Sequence, residues 1–190
     1  MKKIILLITA ILLGFAAFAQ AGLDGTWYCE QKENEKADSE EATGDISMAL
    51  SVTYRFSGSS FSMDMQGRID MDLNGKDKNG KDMNAVFLIQ IDGSNSGTMA
   101  RIGDTITLTP ASGQKPKVNV TTDVKGVPGG GLLKTMMVGP LKKEITSSLK
   151  ETESYKIISL TEKELVLEDI LTQKEINKGE KVERVTFTRR

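Results

Sequence analysis

The stretch Asp70-Met71-Asp72-Leu73-Asn74-Gly75 has the spacing of side-chain oxygens with which a calcium-binding loop begins. Such a loop ends on a glutamate at its twelfth position, which holds the cation through both carboxylate oxygens. The twelfth position here is Lys81, which is itself a cation. We therefore interpret the stretch as a polar hairpin tip that follows an acidic strand face, and we predict no metal site in this chain.

Methionine sulfurs are a second group that could do chemistry, because soft thioethers bind Cu(I). They lie close together at Met63 and Met65 and again at Met136 and Met137. Met63 and Met65, however, alternate in step with an apolar series, which is Phe61, Ile69, Met71 and Leu73. Period-two spacing predicts that this series lines the inner face of a strand. Because methionine is flexible, such a wall suits an adaptable apolar pocket better than a copper site.

The chain has no histidine and one cysteine. This excludes histidine-based catalytic triads, a disulfide within the chain and the usual structural zinc sites. Cys29 lies between Tyr28 and Glu30, with no neighbouring cation to lower its pKa, and we interpret it as a packing residue. No other spacing indicates a catalytic group, so we expect a protein that is not an enzyme and has no cofactor.

The N-terminus has the pattern of an export signal. Lys2 and Lys3 precede an apolar run of ten residues, 4–13, and Ala17-Phe18-Ala19 supplies a cleavage site. The run is too short for a membrane span, which needs about 20 residues. We predict a cleaved signal over residues 1–19 and a single domain over 20–190, exported to the periplasm or surface of a bacterial cell and not membrane-spanning. Cys29 lies too far beyond the apolar run to be a lipid-anchor cysteine.

Without the signal the chain keeps 23 basic and 26 acidic residues, a net charge of −3. No basic surplus is available for a phosphate backbone, so we predict no nucleic-acid partner. Eight aromatic residues remain after the signal is removed, which is few for a surface that stacks on sugars or bases.

Strand patterns recur along most of the chain, by alternation of apolar and polar residues or, at 84–91, as a nearly continuous apolar run. They fall at residues 48–57, 61–73, 84–91, 98–102, 105–109, 117–124, 154–160, 164–171 and 181–188. A first strand carries Trp27 and Cys29, and the acidic stretch 30–45 after it predicts a solvated loop or lid. Gly67 predicts a bulge or bend, and Asp92-Gly93 and Gly103-Asp104 predict turns.

The segment 129–151 differs from the rest, because its apolar residues recur every four positions, a helical spacing. Gly139-Pro140 predicts a division into two helices. The insertion either closes the barrel mouth as a lid hinged at Gly129-Gly130-Gly131 or packs on the outside of the sheet.

The strands follow one another through short turns, and a sheet of this size with one apolar face needs closure to protect its edges. We therefore predict an all-β protein, an antiparallel meander closed into a barrel of about 8–10 strands, with one helical insertion before the last three. An outer-membrane barrel would need two aromatic girdles, which the remaining aromatics do not supply.

Gly25-Thr26-Trp27 on the first strand resembles the G-x-W motif of lipocalins, and more closely the chain resembles the lipocalin-like domain proteins of bacterial cell envelopes. The likeness extends to residues 103–110 (GDTITLTP), 155–169 (YKIISLTEKELVLED) and 185–190 (VTFTRR). The resemblance implies that Trp27 packs at the closed end of the barrel beneath an arginine, either Arg189 or Arg184. Gly25, Trp27 and Arg189 would then be structural residues.

The resemblance and the methionine-rich wall together suggest a non-enzymatic protein that holds a small apolar ligand in a barrel cavity. The expected ligand contacts are Tyr54, Phe56, Phe61, Met63, Met65 and Phe87. A barrel filled by its own side chains would instead favour a structural or protein-interaction module of the cell envelope. An enzyme would show acidic residues clustered in a cleft with shifted pKa values.

Overall fold

A computed structural model describes residues 22–38, 42–76, 80–127, 129–172, 176–177 and 181–190, and the predicted signal over 1–19 lies outside them. The described residues form nine strands and one long helix. These are β1 (Gly25–Asp38), β2 (Ala42–Ser57), β3 (Ser60–Lys76), β4 (Asp82–Ile102), β5 (Thr105–Pro110), β6 (Lys117–Lys125), α1 (Gly130–Ser148), β7 (Glu153–Leu160), β8 (Glu164–Asp169) and β9 (Arg184–Arg189). Within this part of the chain, no helix is both long and apolar enough to cross a membrane.

Eight of the strands close into an antiparallel barrel. Their order is β3-β2-β1-β9-β8-β7-β5-β4, and β4 returns to pair with β3. This confirms the predicted all-β barrel, with its helix before the last three strands. The ninth strand, β6, pairs with β4 at residues 86–94, beyond the segment 97–102 that pairs with β5.

The barrel is closed along only part of its length. β1 meets β9 at Trp27 and Tyr28, opposite Arg189 and Thr188, whereas its pairing with β2 continues to Asp38. The far halves of β1 to β4, together with β6, therefore extend past the closed ring as a second region. We call this region the open sheet; it comprises residues 30–38, 42–52, 65–76, 82–94 and 117–125.

Two sequence predictions about this region were wrong. The acidic stretch 30–45 is not a solvated loop, because residues 30–38 continue β1 and 42–45 begin β2. Asp92-Gly93 is not a turn, because β4 passes straight through it. Gly93 is buried in the sheet, where an added Cβ would lie 2.9 Å from the Met65 Cε and 3.4 Å from the Leu149 Cδ1. The glycine thus permits close packing rather than a change of direction.

Gly67 and Pro140 also differ from expectation. Gly67 pairs with Leu50 and Ile91 without a register shift, so it forms no bulge. α1 is a single helix with Pro140 inside it. An internal proline costs a helix one backbone hydrogen bond. The helix continues because Leu141 and Ile145, which follow the proline, pack on the core.

The closed end of the barrel is built by the first residues of β1 and the segment before it. The Trp27 side chain has no exposed surface, and its Nε1 donates a 2.7 Å hydrogen bond to the Leu23 carbonyl. The Arg189 guanidinium lies 4.6 Å from the Trp27 ring centroid and donates to the Gly22 carbonyl. Gly25 has a φ of +131°, which residues with side chains rarely adopt. A Cβ added at this position would lie 3.6 Å from the Arg189 Cζ. Arg184, the other arginine that the resemblance offered, binds Glu168 instead.

Candidate functional site

Aromatic side chains fill the interior of the closed ring. The Tyr54 ring stacks on Phe56 at 5.6 Å between centroids and meets the edge of Phe187 at 5.7 Å. Phe61 completes the group, 6.4 Å from Tyr54. Tyr54, Phe56, Phe61 and Met63, four of the expected ligand contacts, are therefore buried against the rest of the core.

Leu149, the residue that follows α1, closes the mouth of the ring. It is buried beside Gly93, and its carbonyl accepts a hydrogen bond from the Asn95 side chain. The space left between Leu149, Tyr54 and Phe61 is about 10 Å³. This is no more than one water molecule needs, whereas small-molecule sites usually measure about 300–1,000 Å³. A ligand inside the closed ring would have to displace Leu149.

A cluster of three polar side chains, Glu153, Tyr155 and Tyr54, borders this small space. The Tyr155 hydroxyl donates a 2.6 Å hydrogen bond to Glu153 Oε2, and Tyr54 lies nearby. Burial raises the pKa of the Glu153 carboxyl, and the carboxylates of Asp169 and Glu151 raise it further. Burial also raises the pKa of both tyrosines, so their hydroxyls stay protonated. Sequence reasoning missed this group, although positions 153 and 155 share one face of β7 by strand spacing.

The Glu153 carboxyl predicts a pH-dependent stability. Because its folded-state pKa is above the ordinary value of 4.5, the folded protein holds the proton to higher pH than the unfolded chain does. Its contribution is therefore complete below about pH 4.5 and is lost as pH rises through the folded-state pKa. We expect Glu153→Gln to flatten this decline in a melting-temperature series between pH 4 and 8. The exposed Glu162→Gln is the control, and an unchanged decline in Glu153→Gln would contradict the assignment.

The inner face of the open sheet is apolar and lies outside the ring. Paired residues form rows across it, such as Met48, Ile69 and Ile89, and then Ile46, Met71 and Phe87. Many of these side chains are only partly buried, and Leu50 is exposed. Met65 and Phe87, the other two expected ligand contacts, belong to this face. The sequence analysis thus grouped six residues that the structure divides between two regions.

The helix α1 covers this apolar face loosely. Its side chains Met137, Val138, Leu141 and Ile145 pack on the core, but no residue of the helix is fully buried. Leu132 and Met136 are 69% and 63% exposed. The helix is preceded by Gly129, whose φ of 77° is left-handed. The cover is therefore fixed firmly at its C-terminal end by Leu149 and held weakly elsewhere.

Thr122 of β6 places a hydroxyl on this otherwise apolar face. It pairs with Ile89 and is 3% exposed. Among the described residues its Oγ1 is the buried side-chain polar atom that has no hydrogen-bond partner. A buried polar group without a partner costs about 1–3 kcal/mol. Thr122 is thus a buried polar side chain that the described part of the chain leaves unsatisfied.

Other residues singled out in the sequence have structural partners. Asp70 binds Arg68 at 2.6 Å, and Asp72 accepts a hydrogen bond from Asn84, so the calcium-like stretch is part of a strand. No group of three histidine, cysteine, aspartate or glutamate side chains in the described ranges could hold a metal ion. Cys29 is buried, and burial raises the pKa of its thiol, which disfavours the reactive thiolate.

Fold and site together define a class of protein, an antiparallel eight-stranded barrel with a filled ring and a helix-covered open sheet. Comparison with known protein families finds no family model that matches the chain, and no curated protein matches it either. The function must therefore be inferred from the structure itself, and in particular from the two faces of the open sheet.

Proposed function

We propose that this protein is a non-enzymatic, lipocalin-like binding protein of the bacterial envelope that holds a small apolar ligand between α1 and the open sheet. The observation that carries the proposal is the apolar sheet face that continues past the filled ring beneath a helix without a fully buried side chain. The ligand site lies beside the closed barrel rather than within it. The N-terminal signal pattern supports the envelope location.

The side chains around this space suit a flexible, elongated ligand. Met65 and Met71 of the sheet and Met137 of the helix all pack, partly buried, against the core cluster. Unbranched thioether side chains adapt to irregular apolar surfaces at little cost. The unpartnered Thr122 hydroxyl would bind one polar group of the ligand. The ligand class that fits both features is a largely apolar molecule with one polar group, such as a long-chain fatty acid.

Opening of α1 would admit such a ligand. The N-terminal half of the helix has exposed apolar side chains, and Gly129-Gly130-Gly131 precedes and begins it. Glycines at an element terminus absorb the backbone rotations that a lid requires. Leu149 would keep the C-terminal end in place during this movement.

Native mass spectrometry of the mature protein, purified from its own host without detergent, tests the proposal first. We expect an extra mass that leaves on gentle activation. A bare chain that also fails to bind a fluorescent long-chain fatty acid would overturn it.

Thr122→Val tests the polar anchor with nearly unchanged shape. Removing the unpartnered hydroxyl should stabilise the free protein by about 1 kcal/mol and weaken binding of the fluorescent fatty acid roughly fivefold. Denaturant titration and fluorescence titration measure the two effects. Thr121→Val is the matched control, because Thr121 is its neighbour on the solvent-exposed face of β6. Equal effects in the two variants would exclude Thr122 as the anchor.

A second candidate is a protein-interaction module of the cell envelope. The filled ring and the exposed Leu132 and Met136 favour it, because exposed apolar side chains on a helix commonly mark a partner surface. Under this alternative, the double variant Leu132→Ser/Met136→Ser would no longer capture an envelope protein. Neither the variant nor the unmodified protein would bind the fatty acid detectably.

A further inference from the structure

A large groove is lined mainly by polar side chains of the open sheet, and also by Lys142 and Thr146 of α1. Its volume is about 1020 Å³, and it lies where the open sheet joins the closed ring. Strands β1 to β4 and β6 all contribute polar side chains to it. Hydroxyl and amide groups line its floor, from Ser51, Thr53, Gln66, Ser94 and Asn119.

The charge of this groove differs from that of the whole chain. Its lining has five cationic side chains and two acidic ones, whereas the chain has 25 basic and 26 acidic residues. Asp64 already binds Arg55 at 2.5 Å. Lys115, Lys117 and Lys142 have no ion-pair partner within the ranges that the structure describes. The lysines approach from both the β5–β6 connection and the helix, so their positive charges converge on one space.

Arg190 is held in place at the side of the groove. Its backbone N–H donates to the Thr26 carbonyl at 3.0 Å, and its guanidinium lies 3.5 Å from the Tyr28 ring centroid. Stacking on the ring already restricts the Arg190 side chain, so binding an anion would cost less conformational entropy. A guanidinium offers a planar fork of donors that matches a carboxylate or a phosphate.

The groove continues in both directions along the strands. It shares Ser51, Gln66 and Asp92 with a depression of about 360 Å³, and Arg55, Asp64 and Lys117 with another of about 380 Å³. Along β3 these three spaces run from Ser62 to Arg68. At about 3.4 Å per residue, this is roughly 20 Å. Such a length suits a segment of a polymer better than a single small anion.

We propose that this groove binds an acidic polysaccharide, a chain of sugars with carboxylate, phosphate or sulfate groups. The cations would pair with the acidic groups, and the hydroxyl and amide side chains would bind sugar hydroxyls. Recognition would thus depend on charge and hydrogen bonds rather than on stacking, since Tyr28 is the aromatic side chain that lines the groove.

The same lining disfavours two other polyanions. The floor carboxylates of Asp64 and Asp92 would repel the continuous phosphate backbone of a nucleic acid, whereas they accept hydrogen bonds from sugar hydroxyls. An anionic membrane would need apolar or cationic side chains on a protruding surface, and this surface is recessed and hydrophilic. The groove adjoins the ligand site beneath α1, since Lys142 and Thr146 of the helix line it, but the two proposals are tested separately, with acidic polymers here and with a fatty acid there.

Affinity electrophoresis in gels that contain polygalacturonate, dextran sulfate or neutral dextran tests the proposal on the full mature chain. We expect retardation by at least one acidic polymer and none by dextran. Retardation should weaken with salt, because exposed charges are screened. The variant Lys115→Gln/Lys117→Gln/Arg190→Gln should bind roughly tenfold more weakly.

A second triple variant, Lys143→Gln/Lys156→Gln/Lys163→Gln, removes the same charge from exposed positions outside the groove and should bind as the unmodified protein does. Equal losses in the two variants would overturn the site, as would the absence of retardation by either acidic polymer. Equally tight binding to duplex DNA, or to vesicles with anionic lipid, would overturn the preference for sugars. Far-UV circular dichroism checks that each variant is folded.

Discussion

Replacing Trp27 with alanine is expected to destabilise the folded protein by about 3–5 kcal/mol, the cost of removing a large buried aromatic side chain. The change empties the closed end of the barrel, and the Leu23 carbonyl loses its 2.7 Å donor. The Arg189 guanidinium also loses the ring that it covers. Because typical domains have a total stability of about 5–15 kcal/mol, much of the protein would unfold under mild denaturant. Urea titration followed by far-UV circular dichroism measures the loss.

The conservative variant Trp27→Phe separates packing from the polar contact. It keeps most of the apolar volume and loses the indole donor, so we expect a smaller loss than for alanine. Arg189→Ala should cost less again, because that side chain is exposed. A Trp27→Ala protein with unchanged stability would show that the N-terminal segment does not close the barrel.

Replacing Leu149 with alanine is expected to cost about 2–4 kcal/mol and to release α1 from the mouth of the ring. Leu149 is the buried residue that directly follows the helix, and its side chain lies against Gly93. Hydrogen exchange should therefore become faster along residues 130–148. Exchange in the closed ring, for example at β8, should change much less, because local opening does not require global unfolding.

Leu132→Ala is the matched control, since Leu132 is on the same helix and 69% exposed. It should leave both stability and exchange nearly unchanged. If Leu149→Ala leaves the exchange of α1 unaltered, the helix is held by Met137 and Leu141 and not by its C-terminal anchor. In that case the opening proposed for ligand entry would begin at the C-terminal end of α1 and not at its N-terminal half.

Local patterns were sufficient to predict much of the fold. The alternation from Phe61 to Leu73 predicted β3, and the four-residue spacing after Gly129 predicted the helix. Gly103-Asp104 forms the predicted turn, where Gly103 has a φ of 60°. Each of these signals depends on neighbours within a few positions, and strand and helix periodicities are local properties of the chain.

Prediction failed where distant residues decided the outcome. Residues 30–38 have no apolar alternation, and they form a strand because β2 supplies hydrogen-bond partners along their whole length. Gly93 resembles a turn residue, yet it is a contact point for Met65 and Leu149, and Leu149 follows it by more than fifty positions. Propensity at a single position cannot represent such contacts.

The sequence by itself determined most of the strands, the helix, the apolar parity of β2 and β3 and the exclusion of histidine chemistry. Only the tertiary structure decided that the ring is filled, that Leu149 closes it, and that the expected ligand residues separate into two regions. It alone brings Lys115, Lys142 and Arg190 to one groove and leaves Thr122 buried without a partner. The physical reason is that a strand pattern specifies which face a side chain occupies, whereas barrel closure and register specify what it meets there.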